Sequence, residues 1–174
     1  MIHYFHKSGA IVARYGVNYL LAFALLRHLY FCGFCSFNDR LLKMTTFSVK
    51  TSGTVATTDI TESVIQAVAD NDIQDGAALI YCPHTTAGIF INEGADPDVV
   101  IDVEAFMKEL VPRNRPYRHA EGNSPAHISS ILTGNSAMVP ISGGKLMLGR
   151  WQHVFLAEFD GPRNRQVYVQ LLRS

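Results

Sequence analysis

A chain of 174 residues is long enough to form one domain with its own apolar core. Hydrophobic residues make up 48% of the chain and charged residues 17%, which excludes an intrinsically disordered protein. Fifteen Lys and Arg balance fifteen Asp and Glu, so the overall charge gives no reason to expect a nucleic-acid partner. Three cysteines are too few for a disulfide scaffold or a four-cysteine zinc site.

The charge is distributed unevenly along the chain. Residues 1–43 hold five Lys and Arg against Asp39 alone, so residues 44–174 carry a matching acidic excess. Such a break in composition suggests two segments of different origin. We expect residues 1–43 to be an N-terminal extension, either sequence upstream of a start codon at Met44 or a targeting segment. Residues 44–174 then form the domain.

The extension carries two features that resemble known signals. An apolar run over residues 16–26 is shorter than the ~20 residues that span a membrane. No Ala-x-Ala-like cleavage site follows it, as one would after a signal peptide. Cys32 and Cys35 have redox spacing, but no thioredoxin-like pattern surrounds them. We therefore expect residues 44–174 to be cytoplasmic and without a membrane partner, unless the extension is a true targeting segment.

Downstream of Met44, the spacing of apolar residues predicts a mixture of strands and helices. Strands are predicted over residues 47–51, 77–82, 87–91, 137–141, 146–148, 152–159 and 166–172. Three helices are predicted, the first after an N-cap at Asp59, the second after Asp96-Pro97, and a short third over residues 125–132. Residues 113–124 are polar and predict a long loop. Because the helices cluster in the middle and three hairpin-connected strands close the chain, we expect an α+β fold with antiparallel sheets.

Three of the four histidines in the domain lie where predicted elements end or loops turn: His84, His119 and His127. Polar groups at such positions are often functional. Three histidines can hold a catalytic metal with one position open, although their spacing matches no standard metal motif. Ordinary surface or capping histidines remain the alternative interpretation. His153 lies inside a predicted strand and is interpreted as structural.

Carboxylates accompany the histidines. Glu93 follows the strand after His84, and Asp102 lies one turn into the next helix. Glu93 and Asp96 are expected to face the same cleft, although N-capping alone explains an Asp before a Pro. Glu121 lies in the long loop, where it can orient an imidazole.

Other residues suggest phosphate chemistry. Arg163 and Arg165 flank a predicted turn, and guanidinium groups bind phosphate in a bidentate manner. The alternative is that both are exposed arginines of a hairpin. Cys82 beside His84 is interpreted as a buried strand cysteine rather than a nucleophile.

Several stretches downstream of Met44 resemble the YjbQ family, also called secondary thiamine-phosphate synthase. They are Cys-Pro-His-Thr-Thr-Ala-Gly-Ile from Cys82 with Asn92-Glu93 and Asp96-Pro97, Tyr117-Arg-His-Ala-Glu-Gly-Asn123 with Ala126-His127, Ser136-Ala-Met-Val-Pro-Ile, Gly144-Lys-Leu-Met-Leu-Gly-Arg-Trp-Gln152, and Glu158-Phe-Asp-Gly-Pro-Arg163. Residues 1–43 lie outside the resemblance.

The resemblance implies an α+β fold of antiparallel sheets and a homotrimer. It also implies an activity that joins hydroxymethylpyrimidine diphosphate to thiazole phosphate and releases pyrophosphate. On this basis we assign three groups of site residues: catalytic His84, Glu93, Asp96 and Asp102; substrate-binding Asn92, Asn123, Gln152, Arg163 and Arg165; and His84, His119 and His127 for a divalent metal such as zinc or magnesium. The alternative is a non-catalytic homotrimer that binds a metal or a small phosphorylated ligand.

Overall fold

The computed structural model describes residues 42–174, so the predictions for residues 16–26, Cys32 and Cys35 lie outside the described residues. Its elements in chain order are β1 (Leu42–Lys50), β2 (Ala56–Asp59), α1 (Thr61–Ala69), β3 (Gly76–Tyr81), β4 (Ala87–Glu93), α2 (Pro97–Leu110), α3 (Ser124–Thr133), β5 (Ser136–Ser142), β6 (Lys145–Leu146), β7 (Gln152–Glu158) and β8 (Asn164–Arg173). Within this part of the chain, no helix is both long and apolar enough to span a membrane.

The strands form two antiparallel sheets. The larger has the order β1-β8-β3-β5-β6, and the smaller has the order β2-β7-β4. Every strand pairing is antiparallel, which confirms the expected α+β fold with antiparallel sheets. The expectation of three hairpin-connected strands at the C-terminus is wrong, because β7 crosses to the smaller sheet and β8 returns to lie between β1 and β3.

The position of β7 follows from its sequence, since both of its faces are apolar. Val154 and Leu156 belong to the main core, which also includes the inner sides of the larger sheet and α1. Ala157 belongs to a smaller cluster on the other face, and Phe155 stacks on Phe90 with 5.1 Å between ring centroids. A strand that is apolar on both faces needs cover on both, which the main core provides on one face and the smaller cluster with Ala126 and Met107 on the other.

The helix boundaries agree with most of the predicted signals. Asp96 caps α2 by accepting a hydrogen bond from the Asp98 N–H at 3.0 Å, and α3 stops at Gly134, whose φ of 89° suits glycine. The predicted N-cap of α1 is one residue early, because Ile60 occupies that position. The Asp59 carboxylate still accepts a hydrogen bond from the Thr61 N–H at 2.9 Å.

Helix α2 packs loosely despite its apolar spacing. None of its residues is buried, and Phe106 and Leu110 are 62% and 52% exposed. It is tied to the edge of the small sheet by Glu104, whose carboxylate accepts a hydrogen bond from the Thr57 N–H at 2.6 Å. The helix therefore follows the small sheet from one end to the other and leaves an apolar side uncovered in the single chain.

Candidate functional site

A buried ion pair fixes the end of the small sheet where β7 stops. Glu158 is completely buried and Arg165 is 5% exposed. The Arg165 Nε and Nη2 atoms donate to the Glu158 oxygens at 2.7 and 2.5 Å. Thr51 donates to the same carboxylate, and Thr86 accepts from Arg165. Both partners are thus used inside the fold, which gives Arg165 a structural contact rather than an open substrate site.

Two opposing effects act on the pKa of Glu158. Burial alone raises the pKa of this carboxyl, since it disfavours the charged form. Hydrogen bonds from Arg165 and from the Asp160 N–H, together with the arginine charge, stabilise the carboxylate and lower the pKa below its ordinary value. Glu158 is therefore ionised at neutral pH and holds the guanidinium in place.

His84 is engaged by the backbone of the larger sheet. Its Nε2 atom accepts a hydrogen bond from the Gln166 N–H at 2.9 Å. A backbone N–H is only a donor, so Nε2 carries no proton and the neutral ring is protonated on Nδ1. Burial and then the nearby Arg165 charge lower the pKa of His84, which keeps the ring neutral. His84 can donate a hydrogen bond, but neither nitrogen has a free lone pair for a metal or a proton.

The other two predicted histidines meet at the start of α3. His119 and His127 are in edge-to-face contact, with 5.4 Å between ring centroids. The His119 Nε2 atom lies 3.8 Å from a carboxylate oxygen of Glu121, which is longer than a hydrogen bond, so the orienting role of Glu121 stays a prediction.

A second set of polar contacts joins this corner to the turn before β8. Asn123 Nδ2 donates to the Asp160 carboxylate at 3.1 Å, and Arg163 Nη2 donates to the same oxygen at 2.6 Å. The Asn123 Oδ1 atom is buried and has no hydrogen-bond partner in the described chain. We call His119, Glu121, Asn123, His127, Asp160 and Arg163 the loop cluster.

The charges of the loop cluster reinforce one another. Burial raises the pKa of Asp160, but hydrogen bonds from Arg163 and Asn123 outweigh it, so the pKa lies below its usual value. The hydrogen bond to Asp160 in turn raises the pKa of Arg163. The Arg163 side chain remains half exposed, at 52%, while its Nε and Nη2 atoms donate to the carbonyl and carboxylate oxygens of Asp160.

The remaining candidates lie at the opposite end of the small sheet. Glu93 and Gln152 are cross-strand neighbours at the ends of β4 and β7. Gln152 accepts a hydrogen bond from the Gly149 N–H at 2.8 Å. Gly94 lies against the His153 ring so closely that a Cβ atom would approach to 2.2 Å. His153 binds Asp59 at 2.6 Å, in keeping with its structural interpretation.

The two groups of candidates are too far apart to share a substrate within one chain. Ala87 pairs with Glu158 at one end of β4, and Glu93 pairs with Gln152 at the other. Six residue steps of roughly 3.3 Å separate these pairs by about 20 Å. The single chain therefore does not bring His84, the loop cluster and Glu93 into one cleft. Asn92 and Asp96 adjoin Glu93 at the far end, whereas Asp102 lies further along α2, two residues before Glu104, which contacts Thr57 near the other end of the sheet.

The three-histidine metal set is not assembled within one chain. In the described residues no group of three or more His, Cys, Asp or Glu side chains is placed to hold a metal ion. His119 and His127 are neighbours, but the nitrogen lone pair of His84 is used by Gln166. These residues do not fit a three-histidine site, and metal binding stays a prediction.

Two apolar cavities border the loop cluster, since Pro125, Ala126 and Phe159, which line one of them, are sequence neighbours of its residues. These two adjoining cavities, of about 290 and 270 Å³, share the lining residues Val55, Met107 and Phe159, between α2, α3 and the small sheet. Their walls are mostly apolar and contain none of the predicted site residues. We therefore locate the chemistry at the polar clusters and not in this cleft.

Sequence reasoning missed the partners that organise the site: Glu158, Asp160 and Asp59. A glutamate at the end of an apolar strand, seven residues before an arginine, was a usable signal. A carboxylate in a buried strand requires a cation. Cys82 is buried and free, as predicted, and burial raises the pKa of its thiol.

Comparison with known proteins agrees with this fold. A family model described as UPF0047 protein YjbQ-like matches residues 45–174. UPF0047 protein MJ1081 of Methanocaldococcus jannaschii is 48% identical over 126 residues, which are 72% of this chain and 91% of that protein. UPF0047 protein YugU of Bacillus subtilis is 45% identical over 128 residues, 73% of this chain and 97% of the relative.

Solved structures give the same result. An uncharacterized YjbQ/UPF0047 protein from Clostridium acetobutylicum is 47% identical, with a TM-score of 0.72 and coverage of 74% of this chain and 99% of the other. A YbjQ-like protein of unknown function from Sulfolobus solfataricus is 32% identical, with a TM-score of 0.74 and coverage of 76% and 98%. The chain therefore belongs to the YjbQ/UPF0047 family.

Proposed function

We propose that this protein binds a phosphorylated small molecule at the loop cluster and acts as a transferase of the thiamine-phosphate synthase type. The observation that carries the proposal is Arg163, a half-exposed side chain bound by Asp160, whose carboxylate also accepts a hydrogen bond from Asn123 in the loop between His119 and His127. A guanidinium that is already oriented loses little freedom when it binds phosphate oxygens.

The proposed reaction needs stabilisation of charge. The thiazole nitrogen has a lone pair and no proton, and it attacks the methylene carbon of the pyrimidine as the bond to pyrophosphate breaks. A new C–N bond forms, pyrophosphate leaves with its negative charge, and the organic product becomes a cation. Arg163, together with a hydrogen bond donated by His119 or His127, would stabilise the pyrophosphate. Glu93 would stabilise the positive charge, and because the thiazole nitrogen carries no proton, this step requires no general base.

We further propose that the protein works as a homotrimer. In the described residues the four edges of the two sheets lie on β1, β6, β2 and β4, and unpaired strand edges favour cover by another chain. The uncovered apolar side of α2 is a second reason to expect a partner.

A non-catalytic binding protein is the second candidate. The observation that favours it is the separation of about 20 Å between Glu93 and the loop cluster, since strand geometry keeps them apart in any one chain. In that case the loop cluster binds the phosphorylated ligand and no carboxylate reaches the reacting carbon.

Pyrophosphate release from the two thiamine precursors separates these functions. We expect release by the wild-type protein, loss of it in His119→Ala and in Arg163→Gln, and retention in Lys145→Gln. Lys145 is an exposed cation on β6, at the far edge of the larger sheet, and serves as the matched charge control. Complementation of a thiamine auxotroph by the same variants tests the reaction in cells. No release by a folded wild-type protein that still binds pyrophosphate favours the binding protein.

A further inference from the structure

We propose that the site is shared between two copies of this chain, with the end of one copy that carries Glu93 docked against the loop cluster of the next. This inference rests on the proposed function, because it supplies the carboxylate that the loop cluster lacks. A second copy is the occupant, since this sequence contains both halves of the complementary surface.

The first half is an acidic end. It consists of Glu93, Asp96 and Asp98, at the end of β4 and the start of α2, with Asp102 one turn further along the helix. All four are exposed or partly exposed. Arg150 is the cation on the neighbouring loop, and its guanidinium stacks on Trp151 at 4.5 Å. Four carboxylates against one arginine leave this end clearly negative.

The second half is a basic end. It consists of Arg113, Arg115, Arg118 and Arg163, around the loop cluster. Arg113 Nη2 donates to the Phe159 carbonyl at 2.9 Å, which ties this loop to the end of β7. Glu121 and Asp160 offset part of the charge, and the last turn of α2 adds Lys108 and Glu109, one of each sign. The surface remains positive, with two histidines beside it.

Helix α2 connects the two ends and offers apolar contact area along the way. Its 14 residues span about 21 Å. Ile101, Phe106 and Leu110 on α2 are 61%, 62% and 52% exposed, and Ile131 on α3 is 80% exposed. Phe106 and Leu110, four residues apart, share one face of α2, whereas Ile101 lies on the opposite side of the helix. An apolar face bordered by opposite charges at its two ends is suited to a partner that is oriented head to tail.

Contact between two different patches of the same chain is heterologous, and repeated copies form a ring when the rotation between neighbouring copies closes. Every copy then gives its basic end to one site and its acidic end to the next. Glu93 of one chain reaches the loop cluster of its neighbour, although it cannot reach its own. The arrangement also explains why Glu93 forms no side-chain hydrogen bond in the described chain.

The first experiment tests docking without reference to activity. It uses the full chain in sedimentation equilibrium, with Asp98→Lys/Asp102→Lys and Arg115→Glu/Arg118→Glu, which reverse one end each. We expect each to weaken assembly at least about tenfold, because like charges then face each other. A chain with all four changes should have an association constant within a few-fold of the wild-type value, because its two ends again carry opposite charges. The neutral variant Asp98→Asn/Asp102→Asn removes the two negative charges without adding positive ones. The melting temperature of every variant shows whether a loss of assembly comes from the charge or from misfolding.

A wild-type chain that is monomeric at micromolar concentration would overturn the inference. So would single-end variants that assemble like wild type, or a four-change chain that assembles no better than they do. None of these results depends on thiamine chemistry.

The second experiment tests whether the site is shared. Glu93→Gln and His119→Ala are each expected to be inactive alone. Co-assembled in equal amounts, they should recover about a quarter of wild-type pyrophosphate release, because a quarter of the interfaces then pair two intact halves. Recovery that stays at the level of the separate variants means that the site lies within one chain. If wild type itself is inactive while the charge-reversal results hold, the proposed reaction fails and the docking stands.

Discussion

The two ends of the three-stranded sheet differ in how their polar side chains are held. At the end where β7 stops, Glu158, Arg165 and Thr86 form a buried network, and Asp160 holds Arg163 next to it. At the other end, Glu93 lies partly exposed beside Gln152 and makes no side-chain hydrogen bond in the described chain. The polar side chains at the first end are held by contacts within the chain, whereas the Glu93 side chain at the other end, the open end, is not.

This difference separates two kinds of polar residue that look alike in a sequence. Arg165 and His84 have their hydrogen-bonding groups used by the fold, so they position other groups. Arg163 and Glu93 keep groups available to a ligand or a partner. Substitutions at both ends test this division, and they follow in order of decreasing expected effect.

Removing one partner of the buried ion pair should have the largest effect on stability. Arg165→Met leaves the Glu158 carboxylate buried and without a cation, which typically costs about 3–5 kcal/mol of unfolding free energy. The matched double variant Glu158→Leu/Arg165→Met should recover much of that loss, because no charge then remains buried. Urea denaturation measures both. A single variant as stable as wild type would contradict the structural role of this pair.

A substitution at the Glu93 end should have the opposite effect, with little change in stability and a large loss of activity. Glu93→Gln is nearly isosteric and breaks no hydrogen bond of its side chain, so the melting temperature should stay close to wild type. Pyrophosphate release should fall about 10²- to 10³-fold, as is typical when one electrostatic group is removed from a transition state. Near wild-type release would exclude Glu93 from the reaction. Loss of release together with a large drop in melting temperature would make Glu93 structural.

Substitution of Gly94 tests whether the His153 ring at the open end is held rigidly in place. A methyl group at this position would meet the His153 ring, so Gly94→Ala should destabilise the fold by about 1–3 kcal/mol. Gly122→Ala is a useful comparison, since a methyl group there would have no other atom within 4 Å, although the φ of 74° still imposes strain. Equal, small effects of both changes in thermal denaturation would show that the ring of His153 moves aside freely.

His84 should give a smaller effect that depends on pH. The pKa of folded His84 lies below its ordinary value of about 6.5, so the folded state binds fewer protons than the unfolded state between these two values. The hydrogen bond to Gln166 therefore contributes fully above about pH 6.5 and is lost as the pH falls through the folded pKa.

The variant His84→Phe keeps an aromatic ring but removes the hydrogen-bond acceptor, so it isolates the contribution of the hydrogen bond to Gln166. Above about pH 6.5 it should be less stable than wild type by about 1 kcal/mol, the usual net value of one hydrogen bond. This difference in stability between wild type and His84→Phe should narrow as the pH falls. Melting temperatures across the range measure it, and a gap that widens toward low pH would show that His84 gains a proton on folding.

Much of the fold was predictable because its signals are local. The Asp96-Pro97 start of α2, the Gly134 stop of α3 and the turn before Lys145 each depend on neighbouring residues and were predicted correctly. The short strand β2 was missed, and the sheet to which β7 belongs was assigned wrongly. Sheet membership depends on partners far along the chain, which apolar spacing does not specify.

The candidate site was predictable only in part, for the same reason. The pairing of His119 with His127 and the position of Arg163 near Asn123 agree with residues that the sequence picked out. Their distance from Glu93 could not be read from sequence, because Glu93 and His84 are only nine residues apart in the chain yet lie at opposite ends of a strand. The tautomer of His84 likewise depends on Gln166, which is 82 residues away.

Isothermal titration of the full chain with pyrophosphate is the decisive test of the loop cluster as a phosphate site. We predict saturable binding by the wild-type protein, a loss of at least about tenfold in affinity in Arg163→Gln, and wild-type affinity in Lys145→Gln, since a hydrogen bond to a charged group is worth about 1.5–3 kcal/mol. Equal affinity of all three proteins, or no binding by a folded wild type, would contradict this assignment.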